Sequence, residues 1–251
     1  MLIKSVIVFL LFFSLNVHGQ LSEVAIKFRN DISKNNDLSK IDYKDSLVKF
    51  DFSNLWTQTD NKCVVGFIGD NYQRIRIKFL SVAKDVKHPN IYIISGISKV
   101  KDNICKFKGT IEVKNIWIYK NLHWGVDDDY KNKGIKSEGM VVGEYHFMED
   151  STIKYSGKFD GIESTKWYID QNGEVKYDNI QIQSDSYCNN QFVGTWRGYK
   201  ATASKRCNWG DYRIPFSGDL DVGEGDFSPN EKYLKYGWSS YKDSHSEKDW
   251  W

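Results

Sequence analysis

The chain has little charge bias. Its 35 Lys and Arg face 33 Asp and Glu, a formal net charge of +2. Such a balance argues against a nucleic-acid binder held by a basic face. Beyond the N-terminal leader, no apolar run approaches the ~18 residues that mark a membrane-spanning helix. The four cysteines include no C-x-x-C pair, and no histidine lies three to five residues from a cysteine, so the spacing gives zinc no support. H-E-x-x-H and G-x-S-x-G are both missing, which removes the sequence signatures of zinc peptidases and serine hydrolases. No cofactor is implied. Disorder is excluded from the other side: 40% of the residues are hydrophobic, more than a chain unable to form a core carries.

Lys4 gives a charged start, Val6 to Phe13 is unbroken apolar sequence, and Val17-His18-Gly19 places small residues at the −3 and −1 positions of a cleavage site. Residues 1–19 therefore predict a secretory signal cut before Gln20, and a secreted or periplasmic mature protein without a membrane span. In an oxidising compartment four cysteines suggest two disulfides. Three connectivities are open. Cys63–Cys105 with Cys188–Cys207 is favoured, because each pair closes within one half of the chain, around 41 and 18 residues. Each loop would contribute about 3–4 kcal/mol by chain entropy.

Leu21, Val24, Phe28 and Ile32 fall at helical spacing after Ser22, a candidate N-cap. Residues 20–46 thus read as one short helix and a linker. From about residue 47 the period becomes two. Ile75, Ile77 and Phe79 alternate with Arg74, Arg76 and Lys78; Cys105, Phe107, Ile111 and Val113 alternate with Lys106, Lys108, Glu112 and Lys114. Strict alternation means sheet with one wet face, the antiparallel arrangement. Further strands are predicted at 91–95, 115–120, 141–147, 153–159, 166–170 and 175–182. Asn172-Gly173 is the strongest hairpin signal, suited to a type I′ turn. The fold class is all-β, an antiparallel meander over 47–183 forming a barrel or a sandwich. Residues 184–251, aromatic- and glycine-rich, read as a separate loop-rich module in which alternation fades; the competing reading is a wrap over one end of the main sheet.

The segments Gly157-Lys-Phe159-Asp-Gly161, Trp167-Tyr-Ile-Asp170-Gln-Asn-Gly173 and Cys207-Asn-Trp-Gly-Asp-Tyr-Arg-Ile-Pro215 resemble a group of small exported bacterial proteins. The resemblance implies a secreted, β-rich protein and transfers no catalytic residue. Gly194-Thr-Trp196 resembles the G-x-W that opens lipocalin and avidin barrels, although only 55 residues follow it.

The remaining signals are local. Asp219, Asp221 and Asp226 lie on a glycine-rich turn that could offer oxygens to calcium, but the twelfth position from Asp219 is Asn230, not the Glu of an EF-hand. The competing reading pairs those carboxylates with Lys or Arg. His146 stands two residues after Glu144 on one strand face, and His123 adjoins Trp124 and Asp127; either grouping could serve acid–base chemistry. Glu144 and Glu149 are five apart and face opposite sides of a straight strand, which removes the best glycosidase pair. Aromatics are the most unusual feature, with nine Trp, 15 Tyr and 14 Phe. Strand aromatics belong to the core. Trp124, Trp238 and the terminal Trp250-Trp251 are harder to bury, and Trp124 and Trp238 are the candidate contact residues. The expectation is a non-catalytic binding or structural module that meets a glycan or an envelope protein. The alternative is a secreted hydrolase using His123, Glu144 or His146.

Overall fold

The computed structural model describes residues 21–242 and 250–251, so the signal segment lies outside the described residues. Nine strands form one sheet: β1 (Val64–Ile68), β2 (Gln73–Lys84), β3 (Ile91–Val100), β4 (Asn103–Ile118), β5 (Ser137–Glu149), β6 (Gly157–Ile169), β7 (Val175–Tyr177), β8 (Asn189–Gly198) and β9 (Lys205–Asp211). Eight of them close on themselves. The order runs β5-β4-β3-β2-β1-β9-β8-β6, and β5 pairs with β6 to complete an antiparallel barrel. The ninth, β7, pairs with the Trp167–Ile169 end of β6, beyond the reach of β8. Closure removes the edges that an open sheet would expose.

The alternation read from the sequence sets which side chains enter. Ile75 and Ile77 of β2, and Cys105, Phe107, Ile111 and Val113 of β4, are buried, and the lysines between the β4 residues line the outside. The interior is packed mainly with aromatic rings. Phe107, Phe147, Tyr145, Phe192 and Trp209 form a continuous series of stacked and edge contacts with centroids 4.6–5.4 Å apart. Gly161 and Gly194, opposed across β6 and β8, leave room for the Tyr145 ring; a Cβ at either would lie within 2.5 Å of the Tyr145 hydroxyl. One mouth is closed by the segment before β1. There Phe52, Leu55 and Trp56 are buried, and Phe52 N donates to Tyr92 Oη at 3.1 Å.

Two regions of the outer wall are also apolar, and each has a cover. Met140, Val142, Ile162 and Val193 lie under a helix, α1 (Glu23–Ser33), through Ala25, Phe28 and Ile32. Ser22 caps the helix, its Oγ accepting from Ala25 N at 3.2 Å. Val24, placed on the apolar face by spacing, is 37% exposed, and Ala25 takes the contact instead. Val65 and Phe67 of β1 are covered by Ile214, Leu220, Phe227 and Trp238.

Four expectations are corrected. First, β8 and β9 lie within 184–251 and complete the barrel, so that stretch is not a separate module; only the chain after β9 wraps the wall. Alternation fades along β8 because residues 189–194 are buried without interruption, on both faces of the strand. Second, the cysteines are unpaired. Cys63 precedes β1 and Cys105 sits on β4, three strands away, or about 14 Å at normal strand spacing. Asn189 pairs with Asp211 whereas Cys207 pairs with Gly194, so Cys188 and Cys207 stand about 16 Å apart along the ladder. Both separations exceed what a disulfide spans. Third, Gly173 is the only residue of its turn with positive φ (83°), and Gly173 N bonds to Asp170 O, so the hairpin uses a longer loop than type I′. Fourth, residues 151–155 are turn, and the strand predicted from 153 begins at Gly157.

Candidate functional site

The barrel is weakest where β1 meets β2. Only Phe67↔Arg74 and Ile68↔Gln73 pair. Continuing that register sets Val64 opposite Ile77, yet no ladder forms there and the strands part. A cavity of about 80 Å³ lies in the gap, bounded by Val64, Ile77, Phe79, Thr57 and Thr59. Its inner wall is aromatic, made by Trp56, Phe192 and Trp209, the last two stacked at 4.6 Å and 11°. Its polar floor is Asn190 and Asp211.

Asp211 is 3% exposed. Its Oδ2 accepts from Thr59 Oγ1 at 2.6 Å, Asn190 Nδ2 at 2.7 Å and Tyr177 Oη at 2.9 Å. Its Oδ1 accepts no hydrogen bond and no cation pairs with it among the described residues. Burial raises this carboxyl to about 7, against the pull of its three donors. The network continues inward. Asn190 Nδ2 also reaches Leu55 O, and Thr165 Oγ1 lies 2.9 Å from both Asn190 Oδ1 and Glu163 Oε2. Trp56 Nε1 donates to the same Glu163 oxygen at 3.2 Å. Glu163 is fully buried, and burial lifts it to about 8 despite the Thr165 and Trp56 bonds. A hydroxyl carries one proton, so Thr165 cannot donate to both neighbours. A protonated Glu163 resolves this: it donates to Thr165, which donates to Asn190. Glu163 Oε1 has no partner.

No family model, curated protein or solved structure matches the chain. The site therefore rests on its own geometry.

The residues singled out in the sequence fall elsewhere. Trp238 is fully buried against Phe227, and its Nε1 donates to Tyr72 O at 2.7 Å, so it presents no face to a ligand. Its burial follows from the apolar outer wall of β1, a feature that no local pattern announces. Trp124 is half-buried in the loop after β4, whose Gly125 lies against Ile180 O. Trp251 is 39% exposed and lies 3.5 Å from the Lys78 ammonium.

Asp219 pairs with Lys232 and accepts from Tyr233 Oη. Asp221 pairs with Arg213 at 3.0 Å and accepts from Gly223 N and Ser228 N. With those oxygens engaged, no group of three metal-binding side chains that includes Asp219, Asp221 or Asp226 stands together among the described residues.

His123 does not meet Asp127. Its Nδ1 lies 2.7 Å from Glu138 Oε1 and its backbone N donates to Glu138 Oε2 at 2.8 Å. Glu138 also hydrogen-bonds Asp178, which burial and the neighbouring Glu138 charge push upward. The His123–Glu138 hydrogen bond pushes the imidazole upward. Glu138 and Asp178 are both buried, so the cluster ties two loops to β5. His146 bonds Asp160 on the outer wall, and Glu144 is held by Arg29 and Lys114. The adjoining depression is about 50 Å³. Glu149 faces the opposite side, inside the barrel, where Trp196 Nε1 and Gly157 N donate to its Oε2. A depression of about 430 Å³ is basic, with Arg74, Arg76, Lys99, Lys101 and Lys235. Arg74 and Arg76 donate to Ser240 there, and Arg74 lies over Trp238 and Tyr241, fastening the C-terminal wrap to β2.

Sequence reasoning missed Asp211, Glu163, Asn190 and Thr59. One signal was present: Glu163 and Asp211 fall at inward positions of their strands, the same parity as Trp167 and Trp209. An acid on the core side of an aromatic strand is the anomaly worth following.

Proposed function

We propose that this protein is an exported, non-catalytic binding module whose ligand site lies inside the barrel, at the gap between β1 and β2. The observation that carries the reading is the free Oδ1 of Asp211, a buried carboxyl whose other oxygen already accepts three hydrogen bonds. Because Oδ1 accepts nothing from the described residues, it is open to a ligand donor, and a hydrogen bond to a charged acceptor is worth ~1.5–3 kcal/mol. Aromatic walls with a few convergent polar groups are the usual make-up of a small-molecule site. A hydrolase is less well supported, because His123, Glu144 and His146 are each engaged by a charged neighbour. The interior site replaces the glycan-facing tryptophans as the contact surface.

The test is a screen of small polar molecules by intrinsic tryptophan fluorescence, since Trp56 and Trp209 wall the cavity. Val64→Trp, which fills the gap, serves as the control. Hits on the wild-type protein that vanish in Val64→Trp are expected. Hits that bind both equally, or no hits at all, would overturn the interior site.

A further inference from the structure

Resting on the interior-site reading, we infer that the ligand is a small organic cation, a primary or methylated ammonium group on a short carbon chain, held between Asp211 and the aromatic wall. Four observations converge on this class. Asp211 is buried and has no cationic partner among the described residues. Its Oδ2 is saturated by Thr59, Asn190 and Tyr177, so a ligand meets Oδ1, an acceptor. The wall around it is aromatic, made by Trp56, Phe192 and Trp209, and aromatic rings attract a nearby cation. Among the described residues Lys78 is the one cation lining the cavity, and its Nζ lies over the Trp251 ring at 3.5 Å.

The competing chemistries fit less well. An anion would meet a carboxyl and ring faces of its own sign. A hydrocarbon would leave Oδ1 unpaired. The volume, about 80 Å³, admits only a few heavy atoms, far below the ~300 Å³ and more of a drug-sized site. An ammonium binds the ionised carboxyl. Because burial holds Asp211 near 7, binding below that pH must expel a proton, and affinity must fall as the solution becomes more acidic.

The experiment is a fluorescence and NMR titration of the full chain with ethylammonium chloride, ethanol and sodium acetate, at pH 8 and at stepwise lower pH. Ethylammonium should bind the wild-type protein and should bind about tenfold or more weakly to Asp211→Asn, as expected when a charged acceptor becomes neutral. In the wild-type protein alone, its affinity should drop about tenfold per pH unit once the pH is below the Asp211 midpoint. That second measurement keeps the inference testable if Asp211→Asn fails to fold. Ethanol or acetate binding as well as ethylammonium, with binding lost in Val64→Trp, would overturn the cation class and leave the interior site standing. PH-independent binding of ethylammonium would also overturn it. Binding of none of the three, with an empty small-molecule screen, would overturn both.

Discussion

Glu163 and Asp211 make a pH-dependent contribution whose sign follows from burial. Both folded-state values, about 8 and about 7, stand above the ordinary carboxyl range near 4. The folded protein therefore binds more protons than the unfolded chain between pH 4 and these midpoints. Stability from this source is fully present below the unfolded values and is lost as pH rises to about 8. The limiting slope is ~1.4 kcal/mol per pH unit for each group. Thermal unfolding between pH 5 and 9 should show the melting temperature falling over this interval, and Glu163→Gln should flatten part of the fall. A melting temperature that rises between pH 5 and 8, with Glu163→Gln following the same curve, would contradict the burial of that acid. Packing at the same scale is tight around Tyr145. Gly194→Ala sets a methyl within 2.4 Å of the Tyr145 hydroxyl, and the expected loss is about 1–3 kcal/mol, read by urea unfolding.

At the scale of single elements, α1 is held by shape more than by charge. Ala25 is the only helix residue with no exposure, pressed on Val142, Ile162 and Val193. Ala25→Leu should lift the helix from the barrel and destabilise by about 1–3 kcal/mol, lowering the melting temperature by ~2–4 °C per kcal/mol in a chain of this size. A variant as stable as the parent would mean the helix is loosely docked. The helix was legible from Leu21, Phe28 and Ile32 and from the Ser22 cap, but its contact line was not. Spacing alone ranks Val24 above Ala25, whereas close approach to a flat wall favours the smaller side chain. The strands show the same division. Ile75, Ile77 and Phe79 declared β2 because its outer face is wet. Met140-Val141-Val142 and Phe192-Val193 did not alternate because helix and barrel bury both faces there. Trp238 was misread for a related reason. A lone aromatic after Tyr236-Gly237 looks exposed until the outer wall of β1 is known to be apolar.

For the whole molecule, the antiparallel meander was legible, and the choice between barrel and sandwich was settled by pairings that no local pattern carries: β5 with β6, and β1 with β9. The cysteines follow from that closure. Cys105 and Cys207 point into the barrel and burial pushes both thiols up. Alkylation of the denatured, unreduced protein should therefore modify four cysteines, and the native protein should leave Cys207 unmodified; a mass short by four hydrogens would contradict the separations set by the register. The interior carboxyls were invisible to motif reasoning, because Glu163 and Asp211 come from β6 and β9, 48 positions apart in sequence. They meet only through Thr165 and Asn190 once the barrel has closed. The most direct measurement is a pH titration of the Asp211 and Glu163 side-chain carboxyls by carbon NMR, assigned with Asp211→Asn and Glu163→Gln. Midpoints near 7 and 8 are expected for carboxyls sealed inside a closed barrel. Midpoints for both near 4, the range of water-exposed carboxylates, would contradict the sealed interior and the ligand site built on it.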